Sequence, residues 1–61
     1  MQERDAQLLA LISRGYSTLE AAETMGEKPH QAYDRLRRTR RELGVRTTIE
    51  AMVAAIRRGL I

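Results

Sequence analysis

Sixty-one residues make one domain at most, and a chain this short buries only about 60% of its unfolded surface. With no cysteine, neither a disulfide frame nor a thiolate metal site can supplement the core. The net charge of +3 is unevenly divided: residues 1–34 hold three basic and six acidic side chains, residues 35–61 eight arginines and two glutamates, which focuses positive potential on one part of the molecule, as a polyanion partner would require.

No strand-like alternation runs through the chain, and glycines and capping residues divide it into four helical segments, so an all-α fold is expected over residues 1–61 as a single domain. The first segment, Glu3–Arg14, turns Leu8, Leu9, Leu11 and Ile12 toward a core and stops at Gly15. Ser17-Thr18-Leu19-Glu20 reads as a capping box opening a short second helix that ends near Met25, before Gly26. Ala21 and Ala22 on that helix are small enough to let another helix approach closely.

Pro29 suits the first turn of a third helix, where its missing amide would have no partner anyway. That helix runs to Leu43, with Ala32, Leu36, Thr39 and Leu43 as its inward stripe and Gly44 as its stop. The helical period then points Tyr33, Asp34, Arg37, Arg38 and Arg41 outward, with Gln31 near the exposed amino-terminal end. Thr47-Thr48-Ile49-Glu50 forms a second capping box, opening a fourth helix over Thr48–Arg58. Ile49, Met52, Val53 and Ile56 are its expected core side, while Ala51 and Ala55 form a small-residue seam open to a partner helix.

A short helix, a tight turn and a long basic helix satisfy the physical description of a helix-turn-helix. The chain also resembles the LuxR/GerE-type DNA-binding domain over nearly its whole length. Arg4-Asp5 stands where that family has Arg-Glu, and Leu8 through Gly15 is similar to its first helix and stop. Ser17–Glu20 resembles the start of its second helix, and Leu43-Gly44-Val45-Arg46-Thr47 its Leu-Gly-Val turn. Glu50-Ala51 and Arg57-Arg58-Gly59-Leu60-Ile61 are similar to its closing helix. The departures lie at Glu27 and Lys28, where an apolar residue and a Ser or Thr are usual, at Tyr33 in place of a lysine, and at Thr39 in place of an aliphatic.

The resemblance implies a bacterial transcription regulator, or the output module of one, that binds double-stranded DNA with its third helix in the major groove. Gln31, Tyr33, Asp34 and Arg37 are the expected base contacts, the last three matching the family's contact positions. Ser17, Thr18, Lys28, Arg38, Arg41, Arg46 and Thr47 are the expected phosphate contacts. The resemblance further implies homodimerisation through the fourth helix, at Ala51, Met52 and Ala55, and a contact with RNA polymerase.

Two other readings fit the charge pattern: a promoter-recognition domain like that of sigma factors, and a protein-interaction module whose arginines and fourth helix bind an acidic protein. Enzyme chemistry finds no footing, because there is no phosphate-cradling glycine loop and His30 stands alone, without a nucleophile beside it. Neither a cofactor, a metal nor a small-molecule ligand is expected. The longest apolar run, residues 51–56, is far below a membrane span, and Met1–Asp5 lacks a signal-peptide pattern, so a cytoplasmic location is expected.

Overall fold

Each helix begins where a side chain can satisfy an amide that the helix leaves open. In a computed structural model describing residues 1–61, these starts produce four helices and no strand: α1 (Glu3–Ser13), α2 (Thr18–Thr24), α3 (Pro29–Leu43) and α4 (Thr48–Arg57). The two boxes read from sequence are closed. The Ser17 hydroxyl accepts from the Glu20 amide at 3.0 Å and the Glu20 carboxylate accepts from the Ser17 amide at 2.8 Å. Thr47 and Glu50 repeat the exchange, each bond at 3.1 Å. α1 and α4 each end one residue earlier than expected, with Arg14 and Arg58 as their caps. At the end of α3, Gly44 adopts a φ of 73°, a left-handed turn that side-chain-bearing residues resist.

α1 packs against all three other helices, while α2 lies on α3 and α4 closes over α1 and α3. The result measures 26 × 20 × 18 Å. Its core is built from four leucines, Leu8, Leu9, Leu36 and Leu43, and five alanines, Ala21, Ala22, Ala32, Ala51 and Ala55. Such small side chains let the helices approach closely, which is how a 61-residue chain closes an interior without a single phenylalanine or tryptophan. Thr39 completes the inward stripe of α3 by donating its hydroxyl to the Arg35 carbonyl at 2.8 Å, so its polar atom is satisfied inside the core.

Leu11 and Ile12 are half-buried and pack against the core beside the fully buried Leu8 and Leu9, as expected. One expectation about the core is corrected. On α4 the expected arrangement is reversed: Ala51 and Ala55 are fully buried, whereas Ile49, Val53 and Ile56 are exposed and Met52 is half-buried. The Ala51–Ala55 side of α4 joins the core, where α1 and α3 pack, and the branched side chains are left on the opposite face. No helix is long and apolar enough to cross a membrane.

Candidate nucleic-acid interface

Beyond Pro29 in its first turn, the exposed face of α3 carries no aliphatic side chain. His30, Gln31, Tyr33, Asp34, Arg37, Arg38 and Arg41 are exposed, opposite the buried Ala32, Leu36, Thr39 and Leu43. Tyr33 leaves 47% of its surface exposed and makes no hydrogen bond within the chain. One turn on, Arg37 Nη1 donates to Asp34 Oδ1 at 3.1 Å, with both side chains 63% exposed. This pair presents donors and acceptors side by side along the middle of the helix. Gln31 occupies the third position of α3, and its side-chain oxygen accepts from the Lys28 amide at 2.8 Å. Its oxygen therefore satisfies the Lys28 amide, the half of the capping exchange that Glu20 and Glu50 supply for α2 and α4, while its amide NH2 stays free.

Behind this face, an ion network joins α1, the turn after α2 and α3. The side chain of Asp5 is fully buried and accepts from the Gln2 amide at 2.9 Å, from Arg35 Nη1 at 2.9 Å and from Arg38 Nη2 at 3.2 Å. Glu27 in the turn accepts two bonds from Arg35, at 2.6 and 3.2 Å, and one from Arg4 Nε at 3.1 Å. Arg4 reaches further, donating to the Met25 carbonyl at 2.9 Å.

Burial works to raise the Asp5 pKa, but the Gln2 amide, Arg35 and Arg38 outweigh it and hold the carboxyl below its ordinary value. Glu27 is lowered chiefly by its bonds to Arg35, with burial opposing and Arg4 assisting. Arg35 is raised, Glu27 contributing most, against burial and with help from Asp5. No buried side-chain nitrogen or oxygen in the protein lacks a hydrogen-bond partner.

Comparison with protein-family models, with curated proteins and with solved structures returns no match.

The network changes what several side chains have to offer. Arg38 is 47% exposed and paired with Asp5 through Nη2, its Nε lying 3.8 Å from Glu42, so part of its guanidinium is taken up and its Nη1 is the group left to meet a phosphate. Arg41, Arg46 and Lys28 are exposed without an ion-pair partner. The hydroxyls of Ser17 and Thr47 are committed to capping, and Thr18 is half-buried. Arg40 Nη1 reaches the Thr48 hydroxyl at 3.3 Å, tying α3 to α4.

The expected dimer seam is corrected as well. Ala51 and Ala55 lie at 0% exposure inside the domain, against its own α1 and α3, and only the half-buried Met52 has any surface to share.

Arg35 and Glu27 organise this region, although neither stands out as a functional residue in the sequence. One signal was present. Asp5 shares the inner face of α1 with Leu8 and Leu9, and a carboxylate on an apolar stripe calls for a buried cation. Arg35, beside Leu36 and one turn before Thr39, is one of the two arginines that flank the inward stripe of α3, Arg40 being the other.

Proposed function

We propose that this chain binds double-stranded DNA by laying the exposed face of α3 in the major groove, and that it acts as a transcription regulator. The observation that carries the reading is the face itself: a helix of 15 residues whose exposed side, beyond Pro29 in its first turn, offers polar and charged groups and the ring of Tyr33, anchored from behind by buried ion pairs. Such a helix is about 22 Å long and about 10–12 Å wide with its side chains, and the major groove is about 12 Å across. The seven-residue α2 and the four residues joining it to α3 support a helix-turn-helix reading. The likeness of residues 43–47 to the LuxR/GerE turn supports the narrower assignment.

In this reading Arg37, oriented by Asp34, donates to guanine, and Tyr33 meets a thymine methyl or a phosphate. The free NH2 of Gln31 supplies one donor to a base edge, a narrower role than a bidentate adenine contact, because its oxygen is held by Lys28. Lys28, Arg41 and Arg46 take phosphates and set position without reading sequence.

Selection from randomised duplexes, repeated across a salt series, tests the proposal. With three unpaired cations engaged, log affinity should fall against log salt with a slope of about −3. Failure to enrich any sequence, together with a flat salt response, would refute it.

A further inference from the structure

The large apolar side chains of α4 point away from the domain that they were expected to fill. Ile49 is 69% exposed and Val53 40%. Together with Val45 and Ala54 they floor a shallow groove, and Arg57 and Arg58 stand at its edge. Neighbouring apolar side chains left exposed on one helix face make a patch of the kind that partners cover.

The charges of the groove identify the kind of occupant. Arg57 has no ion-pair partner, and Arg58 has only the Leu43 carbonyl, 3.5 Å from Nη2. The one acid on the lining, Glu50, accepts through Oε1 from the amide and the hydroxyl of Thr47 at 3.1 and 3.0 Å, so the lining sets two cations against one anion. A second copy of the chain would double that positive excess, with four arginines against two glutamates.

We propose that this groove docks an acidic amphipathic helix of another protein. Apolar residues one turn apart on that helix fill the floor between Val45, Ile49 and Val53, and flanking carboxylates pair with Arg57 and Arg58. The groove is on α4, whereas the side chains assigned to base edges are on α3. The inference therefore stands or falls separately from the DNA reading.

The test is a display library of amphipathic helical peptides with a fixed apolar stripe and randomised flanking charges, panned against the intact 61-residue chain. Enriched peptides should carry Asp and Glu beside the stripe, and their amide chemical-shift changes should centre on Val45, Ile49, Val53 and Arg57. Val53→Asp, and separately the double change Arg57→Glu with Arg58→Glu, should each weaken binding by about tenfold or more. Val53 is exposed, so circular dichroism and melting of Val53→Asp should match the parent. Enrichment of neutral or basic peptides, shift changes elsewhere, or no enrichment at all would overturn the proposal. So would sedimentation showing a dimer that Val53→Asp dissolves, which would assign the groove to a second copy.

Discussion

Replacing Asp5 by asparagine preserves the shape of the most buried polar side chain while removing its charge, and the structure sets the size of the effect. The carboxylate accepts one backbone and two arginine hydrogen bonds, at 2.9, 2.9 and 3.2 Å, and its side chain is fully buried. An asparagine has one acceptor oxygen, so turning it toward the arginines points its NH2 at the Gln2 amide, and the reverse orientation points it at Arg35. A hydrogen bond to a charged group contributes about 1.5–3 kcal/mol, and Arg35, only 14% exposed, falls in that range. Arg38 is 47% exposed and adds less than about 1 kcal/mol.

Arg35 keeps Glu27 as a partner, so the loss stays below the roughly 3–5 kcal/mol of a stranded buried charge. The expected destabilisation is about 2–3 kcal/mol, against a total of about 3–9 kcal/mol for a domain of this length. At about 4–8 °C per kcal/mol, the melting temperature should fall by about 10–20 °C. Thermal unfolding followed by far-ultraviolet circular dichroism measures this at neutral pH, with Asp34→Asn as the exposed comparison, expected within about 0.5 kcal/mol of the parent. A loss below about 0.5 kcal/mol for Asp5→Asn, or an equal loss for Asp34→Asn, would refute the claim that the buried pair organises the fold.

Acid should expose the same network. Asp5 and Glu27 titrate below their ordinary values of 3.8 and 4.5 in the folded protein, so their contribution is present above those values and is lost as pH falls through the lower folded ones. The melting temperature should hold steady at mildly acidic pH and drop below about pH 4, and a flat profile there would contradict it. On α4, Ala55→Leu should cost about 1–3 kcal/mol by overpacking a fully buried site, whereas Ile49→Lys should change stability by less than about 0.5 kcal/mol; urea unfolding of both separates the inner from the outer face. Gly44→Ala meets no atom within 4 Å, so any loss comes from its φ of 73° alone and should be about 1 kcal/mol, read from the shift in the urea midpoint.

Helix number and boundaries were legible because punctuation is local. Ser17 with Glu20, Pro29, Gly44 and Thr47 with Glu50 each act through atoms within a few residues, so their spacing is enough to place a start or a stop. The outward face of α3 followed from its period for the same reason. What sequence concealed depends on packing between helices. Whether Ala51 or Ile49 faces inward depends on which side of α4 meets α1 and α3, which no pattern along α4 alone reports. The period fixed that the two groups lie on opposite faces; a preference for burying large side chains then chose the wrong one.

The charge count misled in a similar way. Arginines on α3 look alike in sequence, but Arg35 is bound by Glu27 and Asp5 and Arg38 by Asp5, whereas Arg41 remains free. These pairs span up to 33 residues of chain. Glu27 reads as a departure from an apolar turn position when only its neighbours are considered, and becomes the anchor of Arg35 and Arg4 once the turn is folded.

The central claim, that α3 reads DNA, is tested most directly by comparing Arg37→Ala and Arg41→Ala on one selected duplex and its scrambled counterpart over a salt series. Arg37→Ala should remove about 1–3 kcal/mol of discrimination between the two duplexes and leave the salt slope largely unchanged. Arg41→Ala should weaken both duplexes alike and reduce the slope by about one. Parent protein binding the two duplexes equally, or identical effects from both substitutions, would contradict the account.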